Sequence, residues 1–211
     1  MISVLIFAII AFAGYLLGSI PAGYLAGRIA GIDIRNVGSG NIGATNVTRV
    51  LGRRYGYAVF IVDFLKGVLA VGISIFVAKH AQLRSTSPEL FGIVAAVFCV
   101  VGHAFSVWLG FRGGKGVATS AGVIFGLMPL AALIGAVVWI FMFEMTRYVS
   151  IASITAAIAL PVAVLVMTYA RQTNGWMPFY LCLCLAAVVI FRHRSNFSRL
   201  MRGTEPRFKR K

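Results

Sequence analysis

Acidic side chains are scarce in this chain: Asp33, Asp63, Glu89, Glu144 and Glu205 are the only five in 211 residues. They are too scattered to form a carboxylate cluster, so no metal site is expected, and no cofactor is assigned. Cysteine is rarer still. Cys99, Cys182 and Cys184 all lie inside apolar runs without the spacing of a zinc site or a disulfide framework, and they read as core or lipid-facing residues. No Lys or Arg precedes Arg28, and the first apolar run is too long for a secretory signal, so residues 1–27 read as a retained helix. Two motifs are missing as well. "GFRGGKG" departs from a Walker A loop at Leu109 and Gly116, which disfavours nucleotide hydrolysis. None of His80, His103 and His193 has an Asp five positions on, which excludes an H-x-x-x-x-D acyltransferase, and no Ser-His-Asp order assembles.

What the chain has in abundance is apolar side chains, 60% of the residues, against 20 Lys and Arg and 5 acids. A soluble domain could not cover itself with so little polar surface. Apolar runs near 2–27, 55–78, 90–110, 150–170 and 176–192 are long enough for a hydrocarbon layer of about 30 Å. Run 117–143 is continuous but broken by "GLMP", where Pro129 removes a backbone hydrogen bond. It reads as one kinked span or as a hairpin of two halves, each about 12–14 residues and about 20 Å long, which must be short or re-entrant against protein.

Basic residues decide between the two. With a hairpin, loop 28–54 (five Arg), Arg112, Lys115, Arg147 and the tail from Arg192 (eight) share one side, which places 16 inside. Lys79, Arg84 and Arg171 then lie outside, and Lys66 lies in a span. A single kinked span gives 8 inside and 11 outside, against the positive-inside rule. The expected fold is therefore an all-α integral membrane protein of seven transmembrane helices, N-terminus outside and C-terminus cytoplasmic. The same placement of charge between apolar runs argues against nucleic acid as the partner of a net +15 chain.

In this topology four donor-rich segments, 36–49, 111–116, 147–153 and 192–205, face the cytoplasm. "NVGSGNIGATNVTR" has glycines at 38, 40 and 43 that turn the backbone and aim N–H groups inward. Ser39, Asn41, Thr45 and Asn46 add donors, and Arg49 adds a bidentate fork. With no acid among them the loop suits an anion, the alternative being a plain Gly-rich connector. Lys115 repeats the theme amid glycines ahead of the next helix, whose N-terminus adds partial positive charge. Asp63 and Lys66, three apart within a span, share a face and read as functional charges or as a structural ion pair. His103 near a span end reads equally as packing or as chemistry. His193 and Asn196 project together on a helix or belong to a solvated basic tail. Ser150 and Ser153 share a face or cap a helix. Such a protein fits two phosphorylated substrates, one of them greasy. A carrier for an organic anion is the competing class, but it predicts internal repeats and mid-bilayer polar groups, and no repeat is visible. A small membrane assembly subunit is a third option that leaves the motifs unexplained.

Six ordered blocks, "GSIPAGYL", "GSGNIGATNVTR", "DFLKG", "GHAF...FRGGKGVAT", "RYVSIASI" and "RHRSNFSRLMRGTE", together resemble the bacterial acyl-phosphate:glycerol-3-phosphate acyltransferase family over nearly the whole length. The resemblance implies one membrane-embedded catalytic domain over 1–211, in a bacterial inner membrane, with functional loops near 28–54, 111–117, 144–153 and 192–205. It implies transfer of an acyl group from a fatty acyl phosphate to glycerol 3-phosphate, giving lysophosphatidic acid, with membrane lipid as surroundings. It makes Ser39, Gly40, Asn41, Gly43, Thr45 and Asn46 a phosphate cradle, Arg49 and Lys115 the cations on substrate phosphate, and His193 and Asn196 part of the glycerol phosphate site. Lys66, Ser150, Ser153 and Glu205 fall on motif positions as further substrate-site candidates. Ser106 stands where the family commonly has Pro, and Arg112 where it often has Lys; both changes leave the phosphate ligands intact.

Overall fold

The computed structural model describes residues 2–80 and 87–208; Arg84 and the last three residues of the basic tail lie outside the described residues. Every regular element described is helical. They are α1 (Ile2–Ser19), α2 (Ala22–Ile29), α3 (Ala44–Leu51), α4 (Arg53–His80), α5 (Pro88–Ala104), α6 (Val117–Leu127), α7 (Pro129–Thr146), α8 (Val149–Tyr169), α9 (Met177–Arg192) and α10 (Arg194–Met201), with short 3-10 turns at Ile34–Asn36 and Val107–Leu109. Proline sets several of the boundaries. Pro88 and Pro129 open α5 and α7, where a missing N–H costs nothing, and Ser87 caps α5 by accepting from the Glu89 N–H.

Two boundaries differ from the sequence expectation. The first span is broken at Ile20–Pro21, because Pro21 has no N–H to continue the helical ladder. The break at Met128 falls where "GLMP" predicts it, but the halves are unequal: α6 has 11 residues and α7 has 18. Val4–Ile29, Arg53–His80, Pro88–Leu109, Pro129–Thr146 and Val149–Tyr169 are each long and apolar enough to cross a membrane. A sixth is reached if α9 and α10, bent by 52°, form one span, while α6 is shorter than a full crossing.

The chain forms two compact units, residues 1–127 and 128–211. In the first, α1 packs on α5, and α4 packs on α5, α6 and α3. Helices in lipid gain nothing from moving apolar surface between lipid and protein, so close approach by small residues does the packing. Gly122 of α6 illustrates it: a methyl group there would collide with the Phe64 carbonyl of α4. Segment 30–52 is not a loose connector. Ala22, Ile34, Ile42, Val47, Val59 and Leu109 form a small buried core beneath it, with Tyr24, Val37 and Tyr55 packed around. In the second unit α8 packs between α7 and α9. Large apolar side chains such as Leu69, Ile73, Leu133 and Val137 are exposed, while Asp63, Lys66, Ser150 and Ser153 are buried beside apolar residues such as Phe91 and Val164, unlike a soluble domain.

Candidate active site

In the first unit the polar loop is built around Asn46, which is 2% exposed. Its Oδ1 accepts from the Ser39 N–H at 2.8 Å, and its Nδ2 donates to the Ile34 and Val37 carbonyls at 3.3 and 3.1 Å. Asn41 Oδ1 takes the Gly43 N–H at 2.8 Å, and the Gly40 N–H goes to the Val37 carbonyl at 3.1 Å. Three amides that the glycine spacing assigns to an anion nest are thus engaged within the loop. The start of α3 follows at once: Gly43 provides no side-chain cap, and the first amides of a helix have no acceptor within its own ladder. Ser39 is exposed, Thr45 and Arg49 half-buried. The nearest carboxylate, Asp33, is neutralised by Arg35: side-chain and backbone hydrogen bonds from Arg35 lower its pKa to about 2. That pairing offsets the negative charge that Asp33 brings to the segment.

The glycine segment before α6 is pinned to the end of α5. Gly113 and Gly114 donate to the Ala104 and His103 carbonyls at 3.1 and 3.0 Å, and Lys115 follows at once, half-buried. Thr119 and Ser120 are buried in the first turns of α6, their hydroxyls lacking a partner among the described residues. Lys66, by contrast, is 3% exposed and lies 2.7 Å from Asp63 Oδ1, with its ammonium donating to the Ile20 carbonyl at 3.0 Å.

In the second unit Glu205 gathers three sequence-distant groups. Ser150 Oγ and Asn196 Nδ2 donate to Oε1 at 2.9 and 2.6 Å, and Arg199 Nε donates to Oε2 at 2.8 Å. Burial raises the Glu205 pKa, but the hydrogen bonds from Asn196, Arg199 and Ser150 outweigh it and hold the carboxyl below its usual range. His193, 2% exposed, donates from Nδ1 to the Val189 carbonyl at 2.8 Å, which makes Nε2 the acceptor nitrogen of the neutral ring. Ser153 Oγ accepts from Trp139 Nε1 at 3.1 Å. Ser150, Asn196 and Glu205 are thus brought together, and Ser153 belongs to a separate contact.

A sequence model of glycerol-3-phosphate acyltransferases matches residues 8–203. The chain belongs to the glycerol-3-phosphate acyltransferase family. Relatives bearing that name include one from Geotalea daltonii, 45% identical over 93% of this chain and 94% of its own, and one from Aquifex aeolicus, 43% identical over 92% and 95%. A third, from Synechococcus elongatus, is 47% identical over 94% and 92%. Among solved structures, PlsY (YgiH), an integral membrane glycerol 3-phosphate acyltransferase, matches in its glycerol 3-phosphate form with TM-score 0.84 and 39% identity over 96% of both chains. Its lysophosphatidic acid form matches with TM-score 0.81 and 38% identity over 96% of this chain and 95% of the other.

Within this acyltransferase, sequence reasoning named Glu205 but missed its pairing with Arg199, six residues away across a helix end where no helical spacing joins them, and it missed Trp139, which reaches Ser153 from another helix. Ser106 donates to the Ser19 carbonyl at 2.6 Å and so satisfies a backbone acceptor at the break in the first span.

Proposed function

We propose that the chain transfers a fatty acyl group from an acyl phosphate to the primary hydroxyl of glycerol 3-phosphate, giving lysophosphatidic acid and inorganic phosphate at the cytoplasmic face of a bacterial inner membrane. One observation carries the choice of donor. The buried serines of the motifs are committed: Ser150 donates to a carboxylate that is ion-paired and held below its usual pKa, hence a weak base, and Ser153 takes an indole N–H. Neither is set up as a nucleophile, so the acyl group must arrive on a good leaving group of its own. The glycerol 3-phosphate and lysophosphatidic acid forms of PlsY support the acceptor and the product.

In this reading Ser39, Gly40, Asn41, Gly43, Thr45 and Asn46 build the phosphate cradle at the start of α3. Arg49 and Lys115 neutralise substrate phosphate, and the amides and cations stabilise the charge that grows as phosphate departs. Asn196, steadied with Ser150 by Glu205, and His193 serve the glycerol phosphate. The glycerol hydroxyl oxygen attacks the acyl carbonyl carbon, the bond from that carbon to the phosphate oxygen breaks, and the departing phosphate takes the hydroxyl proton. His193 Nε2 accepts from the hydroxyl and orients it beforehand. The same reading takes α6 and α9 each as one crossing, for seven in all, with the N-terminus outside and the C-terminus inside.

The test is a release assay: purified protein, palmitoyl phosphate and glycerol 3-phosphate, with inorganic phosphate followed over time. Phosphate release that requires glycerol 3-phosphate supports the reaction. Release with no lysophosphatidic acid formed, or none at all, would overturn it.

A further inference from the structure

Asp63, Lys66 and His103 form a buried polar cluster in the first unit that the chemistry above does not use; they are 2%, 3% and 5% exposed. The Lys66 ammonium donates to the Ile20 carbonyl at 3.0 Å and contacts His103 Nδ1 at 2.9 Å, and it forms an ion pair with Asp63 Oδ1 at 2.7 Å. An ammonium cannot accept, so His103 Nδ1 must be the unprotonated nitrogen in that contact, and the proton sits on Nε2. Asp63 Oδ1 lies 3.4 Å from Nδ1 as well, so the carboxylate sits between the two and serves the pair by charge.

Two partners of Lys66 lead to other segments. The Ile20 carbonyl belongs to the break between α1 and α2, where Pro21 interrupts the ladder and buried carbonyls need donors from elsewhere. Ser106 satisfies the neighbouring Ser19 carbonyl, and the Ser19 hydroxyl reaches the Gly102 carbonyl at 3.4 Å. In the other direction the His103 ring lies against Gly114: a Cβ at that position would collide with Nε2. The His103 carbonyl also takes the Gly114 N–H at 3.0 Å. Lys115 is the next residue. A glycine at 114 allows the ring so close, and the ring held by Lys66 lies directly against the segment that carries Lys115.

We infer that Lys66, with Asp63 and His103, is a positioning group that ties the α1–α2 break and the Lys115 segment to α4, and that it acts through Lys115 rather than on substrate. At 3% exposure and held by Ile20, His103 and Asp63, the ammonium is turned into the protein rather than toward a substrate phosphate. A buried ion pair adds little to stability over an apolar substitute, so its contribution here is geometric definition.

This inference rests on Lys115 gripping substrate phosphate. The experiment compares Lys115→Ala, the charge-neutral pair Asp63→Asn/Lys66→Met, and all three changes together, by phosphate release and by thermal unfolding. The neutral pair should lose about a hundredfold in kcat/KM, as for small misplacements of a binding group, while unfolding near wild type. It should raise the KM of the same substrate that Lys115→Ala affects. The triple variant should fall within about twofold of Lys115→Ala alone, since the pair works through the residue already removed. Wild-type constants in the neutral pair, or losses that multiply in the triple variant, would overturn the inference. If the neutral pair does not fold, His103→Gln carries the same comparison, with the same two outcomes. Wild-type rates in Lys115→Ala would remove the phosphate reading itself, whereas an active neutral pair beside an impaired Lys115→Ala would remove only the positioning role.

Discussion

In the proposed reaction single residues divide into those that touch substrate and those that hold them, and for the cations burial separates the two. Arg49 and Lys115 are half-buried cations, whereas Lys66, of the same charge, is 3% exposed and held by Asp63, His103 and the Ile20 carbonyl. Arg49→Ala and Lys115→Ala should each lower turnover by about 100- to 1,000-fold, the usual loss on removing a group that stabilises developing charge. Both proteins should still elute and unfold as wild type does, and phosphate release measures the loss. Glu205 is of the holding kind. Its folded pKa lies below the unfolded value of 4.5, so its contribution to stability is complete above that pH and disappears as the pH falls through the folded value. Glu205→Gln should cost about 1–3 kcal/mol near neutral pH, because Arg199 loses its charged acceptor. The melting temperature of the variant should also fall less steeply than wild type on acidification; parallel curves would refute the assignment.

Among the elements, the helices were legible and the connections less so. Apolar runs gave α4, α5, α8 and α9 within a few residues, because a lipid-facing helix needs a continuous greasy stretch whatever it packs against. Segment 28–54 reads as a loop by its glycines and charges, yet it contains α3 and a buried core. The eight residues of α3 are too few to show a period, and their stability comes from the contacts of Val47 and from Asn46. Asn46→Ala removes three hydrogen bonds that close the 34–46 loop. The expected result is faster amide exchange at residues 37–46 with α4 and α5 unchanged, and a rise in the KM of the phosphate-bearing substrate. Unaltered exchange in this segment would mean that the buried core alone holds the loop.

For the whole molecule the question is sidedness, which positive charge decides before any packing does. Cysteine substitutions at Ser39 and Ser195, both exposed, should react with an impermeant reagent only when it is admitted to the cytoplasmic side, while Gln172→Cys should react from outside. Labelling of residues 39 and 195 from opposite sides would end the seven-span proposal and the shared reaction with it.

By itself the sequence determined a helical membrane protein, the break before Pro129, the anion-suited residues of its loops and the family, since each depends on local composition, order or motif. Only the tertiary structure decided which donors are already engaged. Asn46 turns inward, Lys66 bridges to Ile20 and His103, and Glu205 draws in Ser150, Asn196 and Arg199. The physical reason is that a side chain's chemistry is written at its own position, whereas its partner is set by helix packing that brings distant carbonyls and carboxylates within about 3 Å.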